Sequence, residues 1–145
     1  SVRKEMLDLH YLALNQAKDY LAPGGSVLST MGARVPLESF IKFGKDAGYL
    51  SEILLYKWKI QADAGEVIRD YAQKEKQGFG PFFFYDASVL EDHFNSLKKY
   101  ISGSDALEIE NSLIKKRLDA TTAFNELIKG KTIGHTVAVM SSKVK

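Results

Sequence analysis

The chain has 145 residues, 45% of them hydrophobic, and its 20 basic and 18 acidic side chains give a formal net charge of +2. This length is enough for one domain with its own core, and so small a charge argues against a nucleic-acid partner. The sequence has no cysteine, so disulfides and thiolate metal sites are excluded and the composition suits a cytoplasmic protein. No stretch approaches the roughly 20 apolar residues of a membrane span, so no membrane partner is expected.

The chain is predicted to open with an amphipathic helix that runs into Leu21 and stops at Pro23, which cannot continue it. Apolar residues recur there at spacings of four, three, three and four, which places them along one helix face. They are Leu7, Tyr11, Leu14, Ala17 and Leu21. Gly24 and Gly25 then supply the backbone angles of a tight reversal.

Two predicted strands follow this turn, with a helix between them. The first is a short buried strand over Val27–Met31, closed by Gly32. The helix begins at Pro36, where a missing N–H costs nothing, and ends at Gly48, which fits a left-handed cap. From residue 50 to 60 aromatic and branched residues alternate with lysines, as in a strand with one solvated face. A last strand is predicted over residues 132–140.

The segment 61–131, between the last two predicted strands, is long enough to form a subdomain of three helices. Asp63 with Glu66, and Ser88 with Glu91, have the spacing of capping boxes and predict where the first two helices begin. In a capping box the two side chains each bond a free backbone N–H of the first turn. We therefore expect a cap of helices over or beside the sheet.

The second and third helices of this segment are predicted from their apolar spacing. In the second helix the spacing of four, three and four puts four residues on one face. They are Leu90, Phe94, Leu97 and Ile101. The third helix is predicted to run without a break from Asp105 to Lys129, with Gly130 as its stop.

The densest aromatic segment of the chain, Gly78–Asp86, lies between the first two of these helices. One interpretation is a short buried strand or core-crossing segment, because consecutive large apolar side chains are most often inside. The other is an aromatic wall for a flat or apolar substrate, formed by Phe82 and Phe84, with the Tyr85 hydroxyl as a polar handle. His93, on the helix that follows, is the one histidine considered as an acid or base.

A metal site is not expected from the three histidines, His10, His93 and His135. None has a neighbouring histidine, cysteine or carboxylate at the spacing that metal ligands show. Asp92 is adjacent to His93, but neighbouring residues on a helix face apart. The sequence also lacks the spacing of a Walker loop and of a Gly-x-Ser-x-Gly nucleophile elbow.

The run YLAPGGSVLSTMG, followed by a helix and then by Gly48-Tyr49 opening a long strand, resembles the fifth-strand region of class I S-adenosylmethionine-dependent methyltransferases. The resemblance covers about Leu7 to Ile60, with a final strand at Thr136–Ser141. It implies an α/β fold with the last three strands of a Rossmann-like sheet, the final one antiparallel and inserted between the other two. Residues 1–61 and 131–145 would form this half of the sheet domain, and residues 62–130 the helical insertion.

The resemblance implies that the chain is the C-terminal portion of such an enzyme and serves to recognise the acceptor. The family holds S-adenosylmethionine with a glycine-rich loop and an acidic residue on its first two strands. No residue here matches them, so no cofactor-binding residue is assigned and the isolated chain is expected to be inactive. The partner would be the missing N-terminal half of the same protein.

The acceptor site is expected at the C-terminal end of the first strand of this chain, because open α/β sheets place ligands there. Four residues would then face the acceptor. They are Thr30, Met31, Gly32 and Arg34. The ordinary alternative is that Gly32 is a turn residue and Arg34 a solvated loop charge. The aromatic segment and the balanced charge favour a small-molecule acceptor over a nucleic acid.

Two other interpretations of the chain stay open. The first is a non-catalytic, methyltransferase-like module for dimerisation or partner binding. An incomplete sheet leaves a strand edge that is a template for pairing with another chain, so a homodimer is the corresponding partner. The second is an unrelated α+β binding domain, because strand topology is only weakly specified by one sequence.

Overall fold

The structure is a computed structural model and describes residues 5–97 and 103–145. Helices alternate with strands at both ends of the chain, and within the described ranges four α-helices lie between the second and last strands. In chain order the elements are α1 (Asp8–Ala17), β1 (Ser26–Gly32), α2 (Leu37–Asp46), β2 (Tyr49–Ile60), α3 (Ala64–Lys76), β3 (Tyr85–Asp86), α4 (Ala87–Asn95), α5 (Gly103–Ser112), α6 (Ala120–Ile128) and β4 (Ile133–Val144). Short 3-10 turns follow α1, at Lys18–Tyr20, and α5, at Ile114–Lys116.

The last strand, β4, lies in the middle of the sheet. Its order is β1-β4-β2, and β4 is antiparallel to both neighbours, so β1 and β2 run parallel to each other. The two-residue strand β3 also pairs with β4, through Tyr85 and Gly134, beyond the end of β1. The predicted α/β class is confirmed, and the last strand lies antiparallel between the other two as expected.

The first helix and the turn after it follow the prediction. Leu7 and Leu14 of its apolar face are buried, and the other three predicted residues are partly buried. The chain reverses after Leu21, where Gly25 N–H donates to the Ala22 carbonyl at 2.8 Å and Gly24 has a φ of +76°. Such a positive φ is accessible to glycine at little cost.

The predicted burial of β1 is wrong. The strand alternates between exposed and partly covered residues, and Leu28 is 67% exposed. Only Met31 is buried. The reason is topological, because β1 lies at an edge of the sheet and pairs with β4 alone rather than with β2. Its outward residues lie on a sheet face that also carries the exposed Leu50, so this face is largely uncovered.

Neither predicted capping box forms. Asp63 takes a left-handed conformation with a φ of +48°, and its side chain bonds no N–H of α3. At α4 the cap is Asp86, whose carboxylate accepts from the Ser88 N–H at 2.9 Å, so Ser88 is inside the helix rather than at its cap. Because Asp86 caps a helix that begins at Ala87, Ser88 lies in the first turn and cannot act as the cap. Ile101, predicted on the face of this helix, lies outside the described residues.

The long third helix predicted over 105–129 is broken in two. Its first part, α5, ends at Ser112, and its second, α6, begins at Ala120. Between them Leu118 pairs with Phe84 of the aromatic segment, each N–H donating to the other's carbonyl at 2.8 and 2.9 Å. This long-range pairing replaces helical hydrogen bonds, and Asp119 then caps α6. The predicted stop at Gly130 is confirmed by its φ of +98°.

Gly134 in the central strand is expected to tolerate no side chain. A Cβ there would lie 2.9 Å from the Lys59 carbonyl oxygen and 3.0 Å from a Leu90 methyl. We expect Gly134→Ala to lower the free energy of unfolding by about 1–3 kcal/mol, the usual cost of overpacking. The matched control is Gly65→Ala in α3, where a Cβ has no neighbour within 4 Å and helix propensity predicts a gain of up to about 1 kcal/mol. Urea unfolding of both variants checks the opposite signs.

Candidate functional site

The aromatic segment lies beyond the end of β1, next to β4, and is buried from Phe82 to Tyr85. Its side chains alternate in direction. Phe82 and Phe84 contact the Tyr71 ring of α3, with centroids 4.7 and 5.7 Å apart, while Phe83 lies under the Arg117 guanidinium at 3.4 Å. The predicted short buried strand is confirmed at Tyr85, and the aromatic wall for a substrate stays a prediction.

Arg34 lies at the centre of a polar group that we call the edge cluster, which consists of Arg34, Gln61, Tyr71 and His135. Arg34 Nε and Nη2 donate to Gln61 Oε1 at 3.0 and 2.6 Å, and Nη2 is 3.3 Å from His135 Nε2. The guanidinium carbon lies 5.3 Å from the centroid of the Tyr71 ring. The ends of β1 and β2 and the start of β4 meet at this edge, so the topology brings these residues together.

His135 is a buried neutral base in the edge cluster. His135 is only 1% exposed, and its Nδ1 lies 2.9 Å from the Thr136 carbonyl oxygen. Burial, and then the charge of Arg34, lower the pKa of His135 to about 4. The neutral ring therefore donates from Nδ1 to Thr136 and leaves Nε2 to accept a hydrogen bond from Arg34.

Arg34 carries an unbalanced charge. Burial lowers its pKa, yet no carboxylate in the described part of the chain forms an ion pair with it. Its own backbone helps to hold the aromatic segment, because the Arg34 carbonyl accepts from the Phe83 N–H at 2.7 Å. A guanidinium fixed in this way presents donors in a defined orientation to any group that reaches it.

A second group, the inner cluster, consists of Tyr56, Tyr85, Glu110 and Arg117. The Tyr85 hydroxyl accepts a hydrogen bond from Arg117 Nε at 3.2 Å. Glu110 is 9% exposed, and its Oε2 accepts from the Leu37 N–H at 2.9 Å. Pro36 provides no side-chain cap for α2, so a carboxylate from α5 does this instead. Burial raises the pKa of Glu110, and the bond to Leu37 and the charge of Arg117 oppose that effect.

Tyr56 reaches the same cluster from β2 and is 2% exposed. Its hydroxyl forms no hydrogen bond of normal geometry with any residue that the structure describes. Burial raises the pKa of Tyr56, and the neighbouring Thr136 hydroxyl and the charge of Arg117 partly oppose this effect. An unpaired buried hydroxyl has lost its water without gaining a partner.

An open pocket of about 480 Å³ adjoins the inner cluster, between the start of α2 and α5. We call it the α5 pocket. It is lined by Pro36, Glu38, Leu107, Glu108, Glu110, Asn111, Ile114 and Arg117. Its volume is in the range of sites for small organic molecules.

The structure brings part of the predicted acceptor site together. Arg34 is in the edge cluster rather than in solvent, and its guanidinium folds back over Gly32, in the space that a Cβ would take. Met31 is buried on the helix-covered face, whereas Thr30 is exposed on the other face of β1. Thr30 therefore does not share a surface with Met31, because adjacent residues of a strand point to opposite faces.

The remaining predicted site residues fall into separate places. Phe82 and Phe84 adjoin the edge cluster through Tyr71, and Tyr85 belongs to the inner cluster. His93 is apart from both and bonds Ser112 of α5, with Nε2 3.0 Å from the hydroxyl oxygen. Sequence reasoning missed the partners that distant segments supply. They are Tyr56, Gln61, Tyr71, Glu110, Arg117 and His135.

Removing the unpaired hydroxyl of Tyr56 is expected to raise stability. Tyr56→Phe keeps the buried ring and takes away an unsatisfied polar group, so the free energy of unfolding should increase by up to about 1 kcal/mol. The matched control is Tyr49→Phe, also in β2, because the Tyr49 hydroxyl donates to the Leu14 carbonyl. That variant should lose about 1 kcal/mol. Equal losses in the two urea-unfolding experiments would show that Tyr56 is partnered.

The sequence matches no protein-family model, and no curated protein is significantly similar to it. Within residues 5–97 and 103–145, no three histidine or acidic side chains are grouped so as to hold a metal ion. No helix in the same ranges has the length and apolar character required to cross a membrane.

Proposed function

We propose that the chain is the acceptor-recognising C-terminal portion of an S-adenosylmethionine-dependent methyltransferase. The observation that carries the proposal is the strand order, with the final strand antiparallel between the parallel β1 and β2. That is the order implied by the resemblance of the Pro-Gly-Gly region to the family's fifth strand. Helices α2, α4 and α5 contact β2, and the sheet face carrying Leu28 and Leu50 stays exposed.

The free edge of β1 is where the rest of such a sheet would pair. An exposed edge strand presents unpaired backbone groups, which proteins normally cover or pair. Leu28, 67% exposed on this strand, would be covered in the same step. In the proposal the missing N-terminal half supplies the next strand and holds the cofactor, because no residue of this chain fits the family's cofactor-binding loop.

The edge cluster is the proposed contact with the acceptor. It lies where β1 and β2 end, the position at which open α/β sheets bind ligands. Methyl transfer depends chiefly on holding the acceptor in line with the donor at short distance. Arg34, oriented by Gln61 and His135, would donate hydrogen bonds to a small acceptor, and the Phe82–Tyr85 segment behind it would keep that contact rigid.

Calorimetric titration with S-adenosylmethionine tests this proposal. The protein encoded by the complete gene should bind the cofactor, whereas the isolated chain should not. Tight binding by the isolated chain would contradict the assignment of the cofactor to the N-terminal half. Failure of the complete protein to bind would overturn the methyltransferase proposal itself. Arg34→Gln in the complete protein is the control, and it should leave cofactor affinity unchanged because Arg34 is assigned to the acceptor.

A non-catalytic interaction module is the second candidate, and the open edge of β1 favours it. In this case a second copy of the chain, rather than an N-terminal half, would pair with β1. Light scattering across a concentration series distinguishes the two. A monodisperse monomer at high concentration contradicts the module, whereas a dimer that Leu28→Lys dissociates supports it.

A further inference from the structure

The α5 pocket combines polar side chains with an apolar wall. Leu107 and the half-exposed Ile114 form the apolar part, and the polar part comes from α2, α5 and Arg117. Small-molecule sites commonly have this composition, with few polar groups fixing the orientation of a mostly apolar ligand. The pocket is distinct from the edge cluster, since the two have no residue in common.

Negative charge predominates at this pocket. Glu38, Glu108 and Glu110 line it against one cation, Arg117. Arg117 is already engaged, because its Nε donates to Tyr85 and its guanidinium stacks on Phe83. Glu38 and Glu108 are exposed and form no ion pair with any residue in the described ranges. The lining therefore has two carboxylates in excess, which favours a positively charged ligand.

Glu110, which lines the pocket, also has a carboxylate oxygen without a hydrogen-bond partner in the described residues. Glu110 uses Oε2 to accept from Leu37, and no described residue bonds its other oxygen. A largely buried carboxylate that lines a pocket and has one oxygen without a donor indicates a place for a ligand donor.

We propose that the α5 pocket binds a small organic cation, a primary ammonium attached to an apolar or aromatic body. The ammonium would donate to the free oxygen of Glu110 and lie near Glu38 and Glu108. The apolar body would contact Leu107 and Ile114. An ammonium has three donors and no acceptor, so it matches the carboxylate oxygens that line the pocket. This inference does not rest on the proposed methyltransferase function.

Three probes of nearly equal shape and different charge test the ligand class. They are 2-phenylethylamine, which is cationic, 2-phenylethanol, which is neutral, and 3-phenylpropanoate, which is anionic. Each is titrated into the chain while backbone amide shifts are followed by NMR. We expect the amine to bind at least fivefold more tightly than the alcohol, with shifts centred on Leu107 and Ile114. Raising the salt concentration should weaken binding of the amine, because exposed charges are screened.

Paired variants test the carboxylates. The double variant Glu38→Gln/Glu108→Gln removes two exposed charges and should lower the affinity for the amine at least fivefold. The fold should be unaffected, because neither side chain forms an ion pair with any described residue. Glu91→Gln, an exposed position of α4 outside the pocket, is the matched control and should leave the affinity unchanged. Equal binding of the three probes, preference for the carboxylate, shifts elsewhere, no binding at all, or an unaffected double variant would each overturn the proposal. None of these outcomes bears on cofactor binding by the complete protein.

Discussion

Replacing Glu75 by Ala is expected to lower the free energy of unfolding by about 3–5 kcal/mol, because one carboxylate holds three backbone N–H groups from two segments. Glu75 Oε2 accepts from Phe82 and Ala120, each at 2.9 Å. Oε1 accepts from the N–H and the hydroxyl of Thr121 at 2.9 and 3.0 Å. The variant leaves two of these donors on residues that are otherwise buried, and each carries the cost of an unmade hydrogen bond.

The position of Glu75 explains why the effect should be large. It projects from α3 to the N-terminus of α6, where unpaired N–H groups and the helix dipole favour a negative charge. It also fixes the start of the aromatic segment on which the edge cluster depends. Losing Glu75 should therefore loosen the segment as well as the helix, and Phe82 and Phe84 should gain exposure.

Unfolding in guanidinium chloride, with Gln73→Ala as the matched control, measures this effect. Gln73 is an exposed residue of the same helix, so its loss tests the substitution without the bonds. Glu75→Gln gives an intermediate case, because an amide has one oxygen acceptor rather than two. A difference of less than about 1 kcal/mol between Glu75→Ala and the control would show that the N–H groups find other partners.

The part of the fold that local chemistry controls was predictable from sequence. The face of α1, the Gly24 reversal, the left-handed Gly48 and Gly130 and the strand character of β2 all depend on neighbours within a few residues. Turn glycines and apolar spacing act at that range. The same reasoning failed for the broken helix at 113–119, where Leu118 pairs with Phe84 from a distant segment. Asp119 was the available signal, since Asp commonly caps a helix start.

The candidate sites were only partly predictable, for the same reason. Arg34 was identified because a strand end is a general ligand position. Its partners Gln61 and His135 are 27 and 101 residues away, and they meet it only because β4 lies between β1 and β2. His135 has no metal-ligand neighbour in sequence. Its lowered pKa depends on burial, which a single sequence does not show. Glu110 was hidden in the same way, inside a helix predicted to be continuous.

Acidification is expected to destabilise the protein through His135. In the unfolded chain this histidine should titrate near its ordinary value of 6.5, whereas in the folded chain burial and Arg34 lower its pKa to about 4. Between these two values the unfolded state binds a proton that the folded state does not. The free energy of unfolding therefore falls as the pH drops from about 6.5 to about 4. Above pH 6.5 His135 is neutral in both states and causes no loss of stability.

The size of the effect follows from the difference between the two pKa values. That difference corresponds to a loss of at most about 3 kcal/mol over the interval. His135→Gln removes the titrating group and keeps a side chain that accepts a hydrogen bond from Arg34. Hydrogen bonds from Ser88 lower the pKa of Asp86. Such carboxylates titrate in both proteins, so their effects on stability cancel in the comparison.

Urea unfolding of the parental chain and of His135→Gln at pH 7.5, 6, 5 and 4.5 provides the test. The parental chain should lose stability faster than the variant over this interval, whatever their difference at pH 7.5. Parallel curves would mean that the folded protein protonates His135 as readily as the unfolded chain does. Because protonated His135 would face the Arg34 guanidinium at 3.3 Å, such a result would also require the edge cluster to open. The pH profile thus tests whether His135 and Arg34 hold each other in place in solution.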